Sequence, residues 1–209
     1  FVDKTVSEEN SQSEEWCFED GLIDYLTQAT ADYETLPKEP FFGSVQGGDE
    51  AVDWAIQWLP EGGETTGESY VNLIPTPLGG THVSGLRTGL LEALREFCEF
   101  RNLLPRGLKL TSDDIWDKCS YVISSKLLDP QFSGQTKERL SSRQCAAFVS
   151  GIIKDSFSLW LNQHTDEAEL IAELCISNAQ VRLKASKQVA RKKITSGPAL
   201  PGKVADCST

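Results

Sequence analysis

A chain of 209 residues with 39% hydrophobic side chains can bury one sizeable core, with an extended arm beside it. No apolar run approaches a membrane span and no basic-then-apolar leader opens the chain, so it reads as soluble and cytoplasmic, with no membrane partner. The net charge of −11 is uneven: residues 1–69 hold 17 acidic against 2 basic side chains, whereas residues 70–209 hold 14 against 18, so any nucleic-acid contact is expected in the second half.

Residues 1–15, FVDKTVSEENSQSEE, begin with a short strand-like piece and continue as an acidic, serine-rich linker without a core-forming pattern. That start within an element suggests a fragment of a longer protein. From Trp16 a short strand leads to an amphipathic helix with Leu22, Ile23 and Leu26 on one side. Beyond a Pro37–Pro40 break, a strand is expected over Phe41–Val45. Val52, Trp54, Ile56 and Trp58 then alternate with Asp53, Ala55 and Gln57, which predicts a half-buried strand. Its tryptophans read as core and not as a base-stacking platform, because the polar face opposite them is acidic. After a turn at Glu61–Glu64, Tyr70–Ile74 is a second strand, and the two read as an antiparallel hairpin with a long loop, ended by Pro75 and Pro77.

Gly79 and Gly80 precede a helix expected over Val83–Leu104, with Thr81 as N-cap and Val83, Leu86, Leu90, Leu94 and Phe97 as its buried stripe. GGTHVSG matches neither dinucleotide nor P-loop glycine spacing, so the glycines read as tight-turn residues. No nucleophile with an orienting acid accompanies His82, which therefore reads as structural. Arg87 lies off the stripe and on position alone reads as a solvated arginine in a weak surface ion pair. Thr111–Trp116 predicts a short helix with Asp113 and Asp114 in its first turn. Adjacent helical positions diverge by about 100°, so the two carboxylates do not grip one ion, and no metal site is expected.

Cys119–Leu128 is the next strand. It feeds the loop Asp129–Arg139, in which Pro130 stops the strand and Gly134 permits angles closed to other residues. Gln135 and Lys137 lie near its tip. On an extended segment they point the same way and offer neutral donors beside a full positive charge, which suits a terminal phosphate; a plain solvated loop is the alternative.

Ser141 or Ser142 caps a following helix with the stripe Cys145, Phe148, Val149, Ile152, Phe157, Trp160 and Leu161. A last helix is expected from Asp166, as its cap, to about Lys193. Its first half carries Leu170, Ile171, Leu174 and Cys175. Its second half turns basic, with Arg182, Lys184, Lys187, Arg191, Lys192 and Lys193, and reads as an arm that has left the globule. The six cysteines, Cys17, Cys98, Cys119, Cys145, Cys175 and Cys207, form no C-x-x-C pair and read as buried thiols.

The run DPQFSGQTKERLSSRQCAAFVSG resembles the nucleotide-sensing loop and following helix of the B subunits of bacterial DNA topoisomerase IV, within the type IIA (gyrase B) family. YVNLIPTPLGGTHVSGLR and LPGKVADC resemble the same subunits in the same order, so the likeness runs from about Trp16 to Cys207. It implies an α+β fold: a mostly antiparallel sheet covered by helices, with a left-handed βαβ crossover, the transducer fold, and a long C-terminal helical arm. It implies residues 1–15 as the tail of an ATP-binding domain with its linker, 16–163 as the transducer domain, 164–196 as a long basic helix, and 197–209 as a linker toward a metal-binding cleavage domain.

By the same resemblance Gln135 and Lys137 contact the γ-phosphate of ATP held mainly by the adjacent domain, Lys137 with a catalytic role. Arg87 lines the passage for a DNA duplex, and Mg2+ belongs to other domains. The implied partners are DNA, a second copy of the same polypeptide, the A subunit of topoisomerase IV and the ATP-binding domain in cis. This stretch alone is expected to be inactive. The equivalent gyrase domain and a stand-alone acidic interaction module are the competing readings.

Overall fold

Pairing begins at a tight turn that the alternating pattern did not announce. A computed structural model describes residues 21–195, with side chains through residue 187. Strand β1 (Leu36–Gly47) returns as β2 (Glu50–Trp58) through a two-residue turn, with Gly47 opposite Glu50 and Gly48 at φ 61°. A glycine at positive φ is what such a hairpin demands. β2 then pairs antiparallel along its other edge with β5 (Cys119–Lys126), from Ala51 opposite Lys126 to Trp58 opposite Cys119. β3 (Gly67–Val71) lies beyond β5 and parallel to it, with β4 (Ile74–Pro75) outermost, giving the order β1-β2-β5-β3-β4. The fold is thus α+β with a mostly antiparallel sheet.

Several expectations change here. β2 and β3 do not form a hairpin: both edges of β2 are occupied, and β3 reaches the sheet only through β5. A parallel pair needs a long crossover, and α2 (Thr81–Phe100) and α3 (Ser112–Trp116) supply it between β3 and β5. The second strand ends at Val71 and not at Ile74, because Asn72 and Leu73, at φ 50° and 66°, form a two-residue turn into β4. Pro37 and Pro40 do not break the chain before a strand but lie within edge strand β1, whose register shifts between Leu36 and Phe41; edges and irregularities are where proline is tolerated in sheets.

On one sheet face Val52, Trp54, Ile56 and Trp58 are buried under α2, α4 (Arg143–Gln163) and α5 (Thr165–Thr195). Phe41 and Phe157 meet at 4.9 Å, and Trp58 Nε1 donates to Ile115 O at 2.7 Å, so the tryptophans are core. The opposite face is not simply solvated. α1 (Leu22–Ala29) sets Leu26 on Ala55 and Val122, and buried Gln57 is satisfied by Thr30 Oγ1 and by the carbonyls of Pro37 and Lys38.

α2 buries Leu86, Leu90, Leu94 and Phe97 as expected, with Val83 half-buried. It ends at Phe100, earlier than Leu104, because Asn102 takes φ 54°. Its N-cap is Gly80, and the Thr81 hydroxyl expected to cap it is buried without a partner. Against α4 the helix approaches so closely that a Cβ on Gly85 would lie 2.5 Å from Ala146 O, and one on Gly89 2.7 Å from Ser150 O. α4 has Ser142 as N-cap and buries Ile153 in place of the expected Ile152. α5 starts at Thr165 after the single residue His164, so Asp166 sits in its first turn and does not cap it. Its buried side is Ala168, Ile171, Ala172, Cys175 and Ala179, whereas Leu170 is exposed. The strand expected at Trp16, Cys17, Cys207, the side chains of Arg191, Lys192 and Lys193, and the linker from residue 197 lie outside the described residues.

Candidate functional site

The loop between β5 and α4 is held at its base from two sides. Within the loop, Ser133 N–H donates to Arg139 O at 2.8 Å and Ser141 N–H to Gln131 O at 2.7 Å, while Ser142 Oγ accepts from Gln131 N–H at 2.8 Å. From outside, Leu78 N–H donates to Glu138 O at 3.0 Å; Leu140 N–H donates to Gly79 O, and Thr81 N–H to Leu140 O, both at 3.1 Å. Leu140, 1% exposed, is the peg of this stem. Sequence reasoning missed it, although a lone leucine between polar residues and the Ser141-Ser142 cap was a signal for a buried anchor.

Gly80 makes the junction possible. Its φ is 144°, and a Cβ there would lie 2.5 Å from both N and O of Leu140. The Gly79-Gly80 pair is therefore a tight turn, as its spacing indicated, and also a surface for close backbone approach. His82, fully buried one residue into α2, supports the same turn: its Nε2 lies 3.3 Å from Thr76 Oγ1, which donates to Ser69 O at 2.9 Å. Burial pushes the His82 pKa down to about 4, so the ring is neutral at pH 7 and serves the packing.

At the tip, Gln135 and Lys137 are both exposed. The segment is not extended, however: Gly134 has φ 87° and Lys137 φ 57°, so the chain turns between the two side chains, and the same-side argument for an extended segment does not apply. The Lys137 ammonium lies 5.9 Å from the Phe132 ring centroid, and Glu138 accepts a bond from Thr136 Oγ1 at 3.2 Å. Beside the stem an open polar cleft of about 730 Å³ is lined by Asp49, Glu50, Asp129 and Arg143 among others. Three carboxylates against one arginine make it a poor place for a phosphate.

Arg87 stands on α2 away from this loop. Its NH2 is 2.7 Å from Asp113 Oδ1 and its guanidinium lies 4.9 Å over the Trp116 ring, leaving the side chain 33% exposed. The neighbouring Asp114, 2% exposed, faces the other way. It accepts from Thr111 N–H at 2.7 Å and Thr111 Oγ1 at 2.8 Å, and Arg182 of α5 grips it through Nε at 2.7 Å and NH2 at 2.9 Å. Burial alone would raise its pKa, but Arg182 and Thr111 together hold it below the usual carboxylate range. The two carboxylates diverge onto two arginines, as their angular separation required. Arg182 does not belong to a free arm, since it ties α5 to α3; Lys184 and Lys187 beyond it are exposed. Among the described residues no group of three or more His, Cys, Asp or Glu converges to hold a metal, and no helix is long and apolar enough to cross a membrane. Cys98, Cys119, Cys145 and Cys175 are buried and unbridged; burial pushes the Cys98 thiol up to about 11 and Cys145 to about 12, so neither is poised to react.

Residues 21–191 match the family model described as DNA gyrase B. The chain is 66% identical over 209 residues to the B subunit of DNA topoisomerase 4 from Haemophilus influenzae and 64% identical over 208 residues to that from Escherichia coli, along 100% and 99% of its own length. It spans about a third of these curated relatives, 32% and 33%. Among solved structures it is similar to the topoisomerase IV ATP-binding domain of Francisella tularensis in complex with a small-molecule inhibitor. That likeness has 40% identity and a TM-score of 0.73, over 84% of this chain and 47% of that one. The 43K ATPase domain of Thermus thermophilus gyrase B, at 24% identity and TM-score 0.75 over 88% and 49% of the two chains, shares the fold.

Proposed function

The chain belongs to the DNA gyrase B family, and from that premise we propose that it is the transducer region of the B subunit of a topoisomerase IV, an ATP-dependent type IIA enzyme. In this reading residues 16–163 are the transducer domain, 164–196 the basic helix, and 1–15 and 197–209 the connections to the ATP-binding and cleavage domains. The identities of 66% and 64% to B subunits of topoisomerase 4 favour that assignment over gyrase.

One observation carries the coupling role: the exposed tip bearing Gln135 and Lys137 is rooted, through Leu140, on the turn that starts α2, the helix that bears Arg87. Gln135 and Lys137 would hold the terminal phosphate of ATP bound mainly by the preceding domain. The donor set fits: a side-chain amide and a compact, flexible point charge, both solvent-exposed. Bound ATP supplies a terminal anion whose charge is spread over three oxygens. Lys137 neutralises part of that charge, and the stem carries any displacement of the tip to Leu140 and into the first turn of α2. Arg87, farther along that helix, would contact the DNA duplex without reading sequence. A second copy of the same polypeptide closes the gate, the A subunit of topoisomerase IV completes the enzyme, and Mg2+ is held by other domains.

The test is Lys137→Ala in the full-length protein. Loss of a phosphate-directed donor lowers hydrolysis on the order of 10²-fold, with nucleotide binding less affected; unchanged turnover removes the loop from the mechanism. Decatenation without negative supercoiling by the complete enzyme separates topoisomerase IV from gyrase.

A further inference from the structure

Arg87 does not present itself as a bare cation. Its NH2 already holds a carboxylate, Asp113 Oδ1, at 2.7 Å, and its guanidinium plane rests 4.9 Å over Trp116. The two partners differ in what they fix. Trp116 ends α3, whose capping box ties Thr111 to Asp114, and Asp114 is in turn gripped by Arg182 of α5, so the ring is anchored. Asp113 is 77% exposed on the solvent side of the same short helix, with no such anchoring. The arginine is therefore held in place by a fixed aromatic face and neutralised by a displaceable anion.

We propose that Asp113 is an internal stand-in for a DNA phosphate, which occupies Arg87 until a phosphate takes its place. This rests on the reading of Arg87 as a DNA contact given above. The exchange replaces one singly charged oxyanion by another on the same guanidinium, so the net Coulomb gain is small. Trp116 keeps the guanidinium in position throughout, so no reorganisation accompanies the exchange. The outcome is a contact that forms readily and lets go readily, which a surface crossed by a moving duplex requires. It also gives the chain a means of suppressing idle binding by nucleic acid.

Asp113→Asn in the full-length protein removes the competitor and leaves Trp116 and the Asp114 clamp untouched. With a short random-sequence duplex, fluorescence anisotropy across a salt series is expected to show roughly fivefold tighter binding, the scale of one exposed ion pair. The slope of log affinity against log salt steepens by up to about 0.9, because a guanidinium no longer neutralised by Asp113 adds one net positive charge to the face that meets the phosphates. Asp113→Glu keeps the wild-type values, and in Arg87→Gln/Asp113→Asn both gains vanish. Tightening that survives in the double variant, or an Asp113→Asn protein indistinguishable from wild type, overturns the stand-in. If Arg87→Gln alone leaves duplex binding unchanged, the DNA role of Arg87 itself fails, an outcome distinct from failure of Asp113.

Discussion

Gly80→Ala is the sharpest perturbation of the root of the loop between β5 and α4. At φ 144° and ψ −158° the residue occupies a region that alanine enters at a cost of about 1–3 kcal/mol. The added methyl would also sit 2.5 Å from both N and O of Leu140, a backbone that cannot rotate away. Relief requires parting the two segments joined by Leu140 N–H to Gly79 O and Thr81 N–H to Leu140 O, each 3.1 Å. Two such bonds contribute about 0.5–1.5 kcal/mol each, so the total loss is about 4 kcal/mol, and at roughly 2–4 °C per kcal/mol for a domain this size, melting falls by about 8–16 °C. Gly48→Ala is the matched control: φ is 61° but nothing lies within 4 Å of the added carbon, so only the backbone cost applies. Thermal unfolding followed by circular dichroism measures both. Equal, small shifts in the two variants would refute the claim that close approach at Leu140, and not merely glycine's backbone freedom, fixes the loop.

Acid stability separates two buried titrating groups. His82 binds its proton near pH 4 folded and near 6.5 unfolded, so the unfolded chain holds more protons between those values. Its contribution is complete above about pH 6.5 and is lost as pH falls toward 4, a change of about 3 kcal/mol. Denaturant unfolding of His82→Gln at pH 4.5 and 7 is expected to show about 2.4 kcal/mol less difference than wild type, the part of that change falling between the two pH values. Asp114 has a depressed pKa, so its contribution is present above the ordinary carboxylate pKa of about 3.9 and fades as pH falls through its lower folded value. Asp114→Asn should cost about 1.5–3 kcal/mol at pH 7, the worth of hydrogen bonds to a charged group, with the gap to wild type closing only below about pH 4.

What the sequence disclosed was mostly periodicity. The stripe of α2 and the alternation of Trp54 and Trp58 were legible because burial on one side imprints a repeat on the residues themselves. Partner choice among strands leaves no such imprint: adjacency in the chain points β3 to β2, whereas the sheet pairs it with β5. The Gly48-Asp49 turn was a readable sign that β2 already had a neighbour in β1. Pairings between remote charges were equally silent: nothing near Arg182 in the chain announces Asp114. At the tip the order of Gln135 and Lys137 was visible, whereas the left-handed angle at Lys137 belongs to a lysine, a residue with no turn signature. Thr81 looked like a cap by type, yet glycine took that position because Leu140 needed the room.

The two bare positions of α2, Gly85 and Gly89, leave its backbone lying directly on α4. Long side chains between helices can swivel and let one rod slide over the other; backbone on backbone cannot. The pair is a single plank, and the loop that leaves β5 is fastened to it where it ends: Leu140 lies on the turn that opens α2, and α4 begins three residues on, at Arg143. In the coupling proposed above, a tug on the tip would reach both helices together, as one rigid beam.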